Sequence, residues 1–208
     1  MTTETVYRIA FVILLLALLA MRVYFMIKVR RSGGRLTPDQ QAVEREGGRG
    51  VLFLRAAFFF LLIAFLGMYI AGMAWIDYFR FPLPGWLRWL GFALGLLSVA
   101  FWIWTQIELG IQWSAQLQLT QGHHLVTSGP YAFIRHPLYT AMIGWAVAIV
   151  LLTANWIFFA IAVLSIIGTV RRVPQEEQMM VEAFGDEYRN YIQRTGRYFP
   201  ILRKVNTK

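Results

Sequence analysis

Three short polar clusters in the second half of the chain hold the side chains that could do chemistry. The first covers residues 122–131 and contains two histidines and a Ser-Gly-Pro turn. The second and third are Arg135-His136-Pro137-Leu138-Tyr139 and Arg172-Val173-Pro174-Gln175-Glu176-Glu177. Proline favours the first turn of a helix, so we expect helices to begin near Pro137 and Pro174. The unpaired backbone N–H groups of residues 138–140 would then suit a carboxylate or another anion.

Glu177 is the carboxylate that helix geometry singles out within these clusters. On a helix that runs to about residue 194, Glu177 lies close in angle to Phe184 and Tyr188, whereas Glu176 points about 100° away. A carboxylate on an apolar face must find a partner. Glu177 therefore either takes part in function or merely caps the helix or pairs with a nearby arginine, and the sequence leaves these alternatives open.

Long apolar stretches surround the clusters and must position them. Of the 208 residues, 58% are hydrophobic and 15% are charged, whereas soluble domains carry about a quarter charged residues. Residues 7–27, 56–76 and 86–107 each approach the roughly 20 apolar residues that a spanning helix needs. The apolar stretch 138–170 is interrupted by Thr153-Ala154-Asn155 and predicts a tight hairpin of two helices of about 15 residues each. We therefore expect an all-α integral membrane protein with about five transmembrane segments, the last two forming the hairpin, and a C-terminal helix in the cytoplasm.

The distribution of Lys and Arg predicts the orientation in the membrane. Seven of them lie in residues 28–55 and eight follow residue 170, whereas residues 77–88 carry two and the N-terminal end carries one. Because basic segments stay in the cytoplasm, we expect the N-terminus outside and the C-terminus inside. Residues 1–107 would form three helices with a basic cytoplasmic loop. Residues 108–208 would carry all three clusters, on the cytoplasmic side.

Composition also disfavours several classes of partner and site. The net charge of +9 lies in two blocks beside apolar segments, a pattern typical of contact with anionic lipid headgroups rather than with nucleic acid. The chain has no cysteine, which excludes disulfides and thiolate chemistry. With no cysteine and a single histidine outside the His123-His124 pair, we expect no metal site.

The order and spacing of the clusters resemble a known family. The pattern comprises Leu125-Val126-Thr127-Ser128-Gly129-Pro130-Tyr131, Arg135-His136-Pro137-Leu138-Tyr139, Arg172-x-Pro-x-Glu176-Glu177, Phe184-Gly185-x-Glu187-Tyr188-x-x-Tyr191, Arg197 and Pro200. Over residues 105–200, about half of its length, the chain resembles the isoprenylcysteine carboxyl methyltransferase family, which is related to the phospholipid methyltransferases. Residues 1–100 share only their hydrophobic spans with that family.

The resemblance implies a cytoplasmic cofactor site for S-adenosylmethionine, with S-adenosylhomocysteine as the product. It places the cofactor against His123, Leu125, Val126, Gly129, Tyr131, His136, Pro137, Leu138, Tyr139, Glu176 and Glu177. From the chemistry of the transfer, we expect Arg172, Glu177 and Arg197 to take part in the reaction itself. The implied substrate is a lipophilic small molecule or a prenylated cysteine that enters from the surrounding membrane lipids. The oligomeric state stays open.

The chemistry of methyl transfer fits these residues but does not fix the acceptor. An in-line displacement needs alignment and a held nucleophile more than a strong acid or base. A carboxylate acceptor would need an arginine such as Arg172 or Arg197 to position it, and an amine acceptor would need a base such as Glu177 or His136. The alternatives are therefore carboxyl O-methylation, N-methylation of a phospholipid or other lipid amine, and a non-catalytic membrane scaffold of the same fold.

Overall fold

The fold consists of helices joined by short connections. A computed structural model describes residues 2–31, 44, 48–110 and 125–201. The helices are α1 (Thr3–Arg31), α2 (Gly48–Ile70), α3 (Ala74–Asp77), α4 (Gly85–Leu109), α5 (Pro137–Thr153), α6 (Trp156–Phe184) and α7 (Asp186–Arg194), with a 3-10 helix at Gly129–Ala132 before α5. Among the described residues, α1, α4 and α6 are long and apolar enough to cross a membrane, and the apolar helices Ala56–Ile70 and Pro137–Thr153 are shorter.

Large apolar side chains on the outside of the bundle identify the medium around it. Phe60, Leu61 and Leu97 are each about two-thirds or more exposed. A soluble protein would bury many of these side chains, whereas a bundle in lipid presents them to the acyl chains. The expectation of an integral membrane protein is therefore confirmed, and the number of five spans stays a prediction.

Helices α1, α4 and α5 form the centre of the bundle, and glycine lets them approach closely. The Tyr7 and Trp89 rings lie 5.6 Å apart near the starts of α1 and α4, so these two helices run in the same direction. Helix α5 is antiparallel to them and packs closely on α4. A Cβ built on Gly91 would lie 2.9 Å from the Ala148 carbonyl oxygen, and one built on Gly144 would lie 2.7 Å from Ser98 Oγ. A larger residue at either glycine would push α4 and α5 apart.

The predicted break in the hairpin is confirmed at Ala154 and Asn155. Ala154 adopts a left-handed conformation with a φ of 47° and ends α5. Asn155 then caps α6, because its Oδ1 accepts a hydrogen bond of 2.9 Å from the backbone N–H of Ile157. Its Nδ2 donates to the Ile76 carbonyl at 2.9 Å, which ties the hairpin turn to α3.

Two predicted boundaries are wrong. The second arm of the hairpin does not stop near residue 170, because α6 is one helix of 29 residues with Pro174 inside it. Proline removes one backbone hydrogen bond from a helix interior, and the complete burial of Val173 next to it shows that tertiary packing holds the helix through this point. The C-terminal helix expected from 174 to 194 is therefore the end of α6 followed by α7, with Gly185 at a φ of 53° between them.

The second predicted span also ends early. Helix α2 stops at Ile70 instead of residue 76. Gly72 has a φ of 73°, and a Cβ on it would lie 2.6 Å from Arg8 Nη1. The chain turns there because glycine tolerates the left-handed conformation and leaves room for the arginine.

An ion-pair network closes the end of the bundle at which α1 and α4 begin. Arg88, which is 5% exposed, donates to the Leu152 carbonyl at 2.9 Å and to both carboxylate oxygens of Glu4 at 2.6 and 3.0 Å. Arg80 pairs with the same carboxylate at 2.8 Å. These contacts join α1, α4 and the hairpin at the end opposite the polar clusters.

Candidate functional site

The second and third polar clusters meet around the carboxylate of Glu177, on the part of α6 beyond its apolar stretch. Arg135 and His136 lie immediately before α5, and Arg197 follows α7. Glu177 Oε1 accepts hydrogen bonds from Arg135 Nε at 3.0 Å and from Arg197 Nε at 3.3 Å, and it lies 3.2 Å from His136 Nε2. Glu177 Oε2 accepts from Arg197 Nη2 at 2.5 Å. One carboxylate therefore joins three segments that are far apart in the sequence.

The charges in this cluster stabilise one another. The side chains of Arg135, His136 and Glu177 are 9%, 5% and 11% exposed, whereas that of Arg197 is 47% exposed. Donors on both oxygens favour the ionised form of the Glu177 carboxylate. The hydrogen bond to Glu177 in turn raises the pKa of the Arg197 guanidinium above its usual value. The cluster is thus a persistent ion-pair network in which Arg197 is the cation that solvent and ligands can reach.

Backbone pairing between residues 133–136 and 196–197 places the two arginines. Arg135 N–H donates to the Gly196 carbonyl at 2.8 Å, His136 N–H donates to the Arg197 carbonyl at 3.1 Å, and Gly196 N–H donates to the Phe133 carbonyl at 3.0 Å. A Cβ on Gly196 would collide with the Phe199 carbonyl oxygen, so glycine is required at this crossing. The guanidinium of Arg135 also donates to the carbonyls of Ile192 and Thr195 and ties the end of α7 to Glu177.

A second set of polar contacts lies beside the cluster at the start of α5. The Tyr139 hydroxyl donates to Glu176 Oε2 at 2.5 Å, and the ring of Tyr139 stacks on that of His136 with centroids 5.5 Å apart. Thr140 Oγ1 donates to the Tyr198 carbonyl at 2.8 Å. The Tyr198 hydroxyl is buried with no hydrogen-bond partner in the described part of the chain, and burial raises the pKa of this group, so it keeps its proton.

Helix α7 holds the 3-10 helix in place. The Tyr191 hydroxyl donates to the Tyr131 carbonyl at 2.6 Å, and Tyr188 and Tyr191 are both buried. Burial raises the pKa of the Tyr131 hydroxyl well above its usual value. Helix α7 therefore positions the segment from which the chain enters α5.

Glu108, at the end of α4, fixes the start of the 3-10 helix. Its Oε2 accepts a hydrogen bond of 2.7 Å from Ser128 Oγ. Gly129 has a φ of 54°, and a Cβ there would lie 2.5 Å from Glu108 Cγ. The predicted site residue Gly129 is thus required by backbone conformation and by the closeness of Glu108.

Comparisons with known proteins agree with this part of the chain. Residues 89–182 match the model of the isoprenylcysteine carboxyl methyltransferase (ICMT) family. The resemblance to the ICMT family is confirmed. The matched segment contains α5, most of α4 and α6, and three of the four cluster residues, while Arg197 lies beyond it.

Relatives with the name protein-S-isoprenylcysteine O-methyltransferase match part of the chain. The Mus musculus protein is 31% identical over 94 residues, which are 45% of this chain and 33% of that protein. The Tribolium castaneum protein is 26% identical over 149 residues, which are 62% of this chain and 50% of that protein. The chain therefore spans about a third to a half of the length of these relatives.

A solved structure has a similar fold. It is described as the eukaryotic intramembrane Ras methyltransferase ICMT, with a TM-score of 0.52 and 22% sequence identity. The match covers 74% of this chain and 54% of that one. At this level of identity the likeness is one of fold.

The structure brings some of the predicted ICMT-like site residues together. Glu177, Arg197 and His136 meet directly, and Tyr139 and Glu176 contact each other beside them. Pro137 begins α5 as expected. The possibility that Glu177 caps a helix is wrong, because residue 177 lies inside α6. Glu177 does pair with Arg135 and Arg197, and its part in function stays a prediction.

The positions of most other predicted residues are also described. Leu125 and Val126 are half-buried ahead of the 3-10 helix, and Leu138 packs against an apolar cluster of α1, α4 and α5. Arg172 lies on α6, five residues before Glu177. His123 lies outside the described residues. The roles of all these residues stay predictions.

Arg135 is the residue that the sequence analysis missed. It makes the link between Glu177 and α7, although the sequence alone gave it no part in the site. The sequence did hold a signal for this role. A carboxylate on an apolar face, such as that of Glu177, requires a cation, and Arg135 lies beside the candidate site residue His136.

Proposed function

We propose that this chain is an S-adenosylmethionine-dependent methyltransferase that acts on a lipophilic substrate in the membrane. The preferred reaction is carboxyl O-methylation of an isoprenylcysteine-like group, as in the names of its relatives. The observation that carries the proposal is the ion-pair cluster of Arg135, His136, Glu177 and Arg197. It joins three of the sequence segments on which the family resemblance rests.

The polar groups around His136 suit this cofactor. S-adenosylmethionine carries a carboxylate, an amino group, ribose hydroxyls and an adenine ring, so its site needs a cation, an anion and a flat apolar surface. Arg197 offers an accessible cation, Glu176 an anion, and the stacked rings of His136 and Tyr139 a flat surface. The Tyr198 hydroxyl has no partner in the described residues, and a bound ligand would satisfy it. The remaining predicted contacts are His123, Leu125, Val126, Gly129, Tyr131, Pro137, Leu138 and Glu177.

When bound, the cofactor supplies an electrophilic methyl group, and the chain's task is to hold the acceptor in line with it. Because Arg197 is proposed to hold the cofactor in line for transfer, Arg172 is the arginine that we propose orients an anionic acceptor. Glu177 already accepts hydrogen bonds on both oxygens, which makes it a weak base and a good positioning residue for Arg197. This arrangement favours a carboxylate acceptor, which needs no base, over an amine.

The topology in this proposal follows the distribution of charge. The end of α1 with Lys28, Arg30 and Arg31 lies at the same end of the bundle as the start of α5 and the polar end of α6. This supports a cytoplasmic site, five spans and an N-terminus outside. Residues 1–107 would anchor the chain, and residues 108–208 would carry the reaction and admit the substrate from the membrane lipids.

Isothermal titration of the detergent-solubilised protein with S-adenosylhomocysteine tests the proposal. We expect binding that Glu177→Gln weakens about tenfold or more, because the neutral amide releases Arg197 from its ion pair. Glu182→Gln is the matched control on α6, since Glu182 is exposed and only accepts a hydrogen bond from Gln178 at 3.0 Å. A wild-type protein that binds neither S-adenosylmethionine nor S-adenosylhomocysteine would overturn the proposal.

A further inference from the structure

Two buried polar side chains on α4 lack hydrogen-bond partners among the described residues. Gln106 is 1% exposed, and neither its Nε2 nor its Oε1 has a hydrogen-bond partner among the described residues. Trp102, one turn earlier on the same face, is 8% exposed, and its Nε1 is likewise unpaired there. Leaving a buried amide unpaired costs free energy, so native proteins rarely keep one without a ligand, water or function.

The packing of α4 on α5 brings Gln106 level with the proposed site. Ser98 lies against Gly144, and the two helices are antiparallel, so seven residues further along α4 correspond to seven residues back along α5. Thr105 and Gln106 are therefore level with His136 and Pro137. Trp102 agrees with this register, because it packs in one cluster with Ala141 and Leu138.

The surroundings of Trp102 are apolar and are supplied by three helices. Met21 and Phe25 of α1, together with Leu138, Ala141 and Met142 of α5, pack with Trp102. The Arg22 guanidinium lies over the Trp102 ring, 5.7 Å from its centroid, and adds positive charge to this region. Hydrogen-bonding groups in an apolar wall beside a cation suit an amphiphile whose polar end is anionic.

We infer that Gln106 and Trp102 bind the carboxylate-bearing end of the lipophilic methyl acceptor, an assignment that rests on the proposed methyltransferase function. The indole N–H can only donate, which suits a carboxylate oxygen. The Gln106 amide can donate from Nε2 to the same carboxylate and accept at Oε1 from a neighbouring amide N–H. A cysteine carboxylate with its own amide nitrogen offers both groups, whereas the ammonium head of an ethanolamine lipid offers neither the carboxylate nor the amide. The two side chains thus select carboxyl over amine acceptors.

Binding of a matched pair of ligands tests this assignment. The ligands are N-acetyl-S-farnesylcysteine and its primary carboxamide, which has the same shape but no charge. The wild-type protein is expected to bind the acid about tenfold more tightly, and Gln106→Leu is expected to remove most of that preference, because hydrogen bonds to a charged group are the stronger ones. Gln106→Glu places a carboxylate beside the ligand's own and should weaken binding of the acid further.

The matched control is Thr105→Val, which alters a neighbouring buried residue whose hydroxyl already donates to the Phe101 carbonyl at 2.8 Å. It should keep the preference for the acid. Gln106→Leu should melt at the wild-type temperature or above it, since it removes an unpaired buried amide. In the methyl-transfer reaction it should raise the KM for the acid about tenfold and change kcat little, with titration of S-adenosylhomocysteine unchanged.

Three results would overturn the assignment: a wild-type protein that does not prefer the acid, a Gln106→Leu variant that keeps the preference, or a Gln106→Leu variant that melts at a lower temperature. The last would show that the amide has a structural partner. Failure of the methyltransferase proposal has a separate signature, since the wild-type protein would then not bind S-adenosylhomocysteine at all.

Discussion

At the scale of single residues, Arg135 holds the proposed site together. Its guanidinium reaches Glu177 from Nε and the carbonyls of Ile192 and Thr195 from Nη1, so one planar group joins α6 to the end of α7. An ammonium group cannot make these contacts in the same directions. The geometry therefore requires arginine at this position and not merely a positive charge.

We expect Arg135→Lys to lower the free energy of unfolding by about 2 kcal/mol, because buried acceptors lose their donors. SDS titration in mixed micelles measures this quantity. Arg194→Lys is the control, since Arg194 is exposed at the end of α7 and the same substitution there should change stability little. Equal effects of the two substitutions would contradict the role given to Arg135.

Glu177 and Arg135 show what residue patterns can and cannot predict. Helical periodicity placed Glu177 on a buried face from local sequence alone, and the structure confirms that it is buried. Arg135 and Glu177 are 42 positions apart in the sequence. Helical periodicity relates only residues of the same helix, so it could not predict this contact. Gln106 escaped notice for the same reason, because only packing against α5 reveals its lack of a partner.

At the scale of elements, the two prolines that open polar clusters behave differently. Pro137 begins α5 as predicted, whereas Pro174 lies inside α6. The local sequence does not distinguish the two cases, because proline fits the first turn of a helix and is also tolerated inside a helix that tertiary packing stabilises. The burial of Val173 and the ion pairs of Glu177 decide the outcome at Pro174, and both depend on tertiary structure.

Gly185 separates α6 from α7, and its conformation gives a prediction at this scale. At a φ of 53° and a ψ of −125°, Gly185 adopts a conformation that is essentially restricted to glycine, and an added Cβ would contact nothing within 4 Å, so the cost of Gly185→Ala is that of the backbone alone, about 1–3 kcal/mol. Thermal melting in detergent should show the loss. Gly168→Ala, also open but inside α6, should not lower the melting temperature. A melting temperature for Gly185→Ala at or above that of wild type would contradict this account of the break.

At the scale of the whole molecule, the two ends of the bundle have different tasks. One end carries the Glu177 cluster with an accessible arginine, and the other carries the network of Glu4, Arg80 and Arg88. That network joins the start of α1 to α4 and to the end of α5. We therefore expect this network to stabilise the folded protein. We expect it to have no direct effect on the proposed site.

Arg88→Leu tests this division. Removing one partner of a largely buried ion pair should cost about 3 kcal/mol in free energy of unfolding. The matched control is Arg189→Leu, because Arg189 and Asp186 form an ion pair with side chains that are 59% and 89% exposed, and such pairs contribute little. At a temperature where the variant is folded, S-adenosylhomocysteine should bind to it as to wild type. Weaker binding by the folded variant would contradict the division.

The most direct test of the central claim is transfer of a labelled methyl group from S-adenosylmethionine by the purified protein in lipid vesicles. N-acetyl-S-farnesylcysteine and phosphatidylethanolamine are offered separately as acceptors. We predict transfer to the farnesylcysteine carboxylate, as a base-labile methyl ester, and none to the amine. Transfer to phosphatidylethanolamine alone would contradict the carboxyl assignment, and no transfer to either acceptor by a protein that binds the cofactor would favour a non-catalytic scaffold.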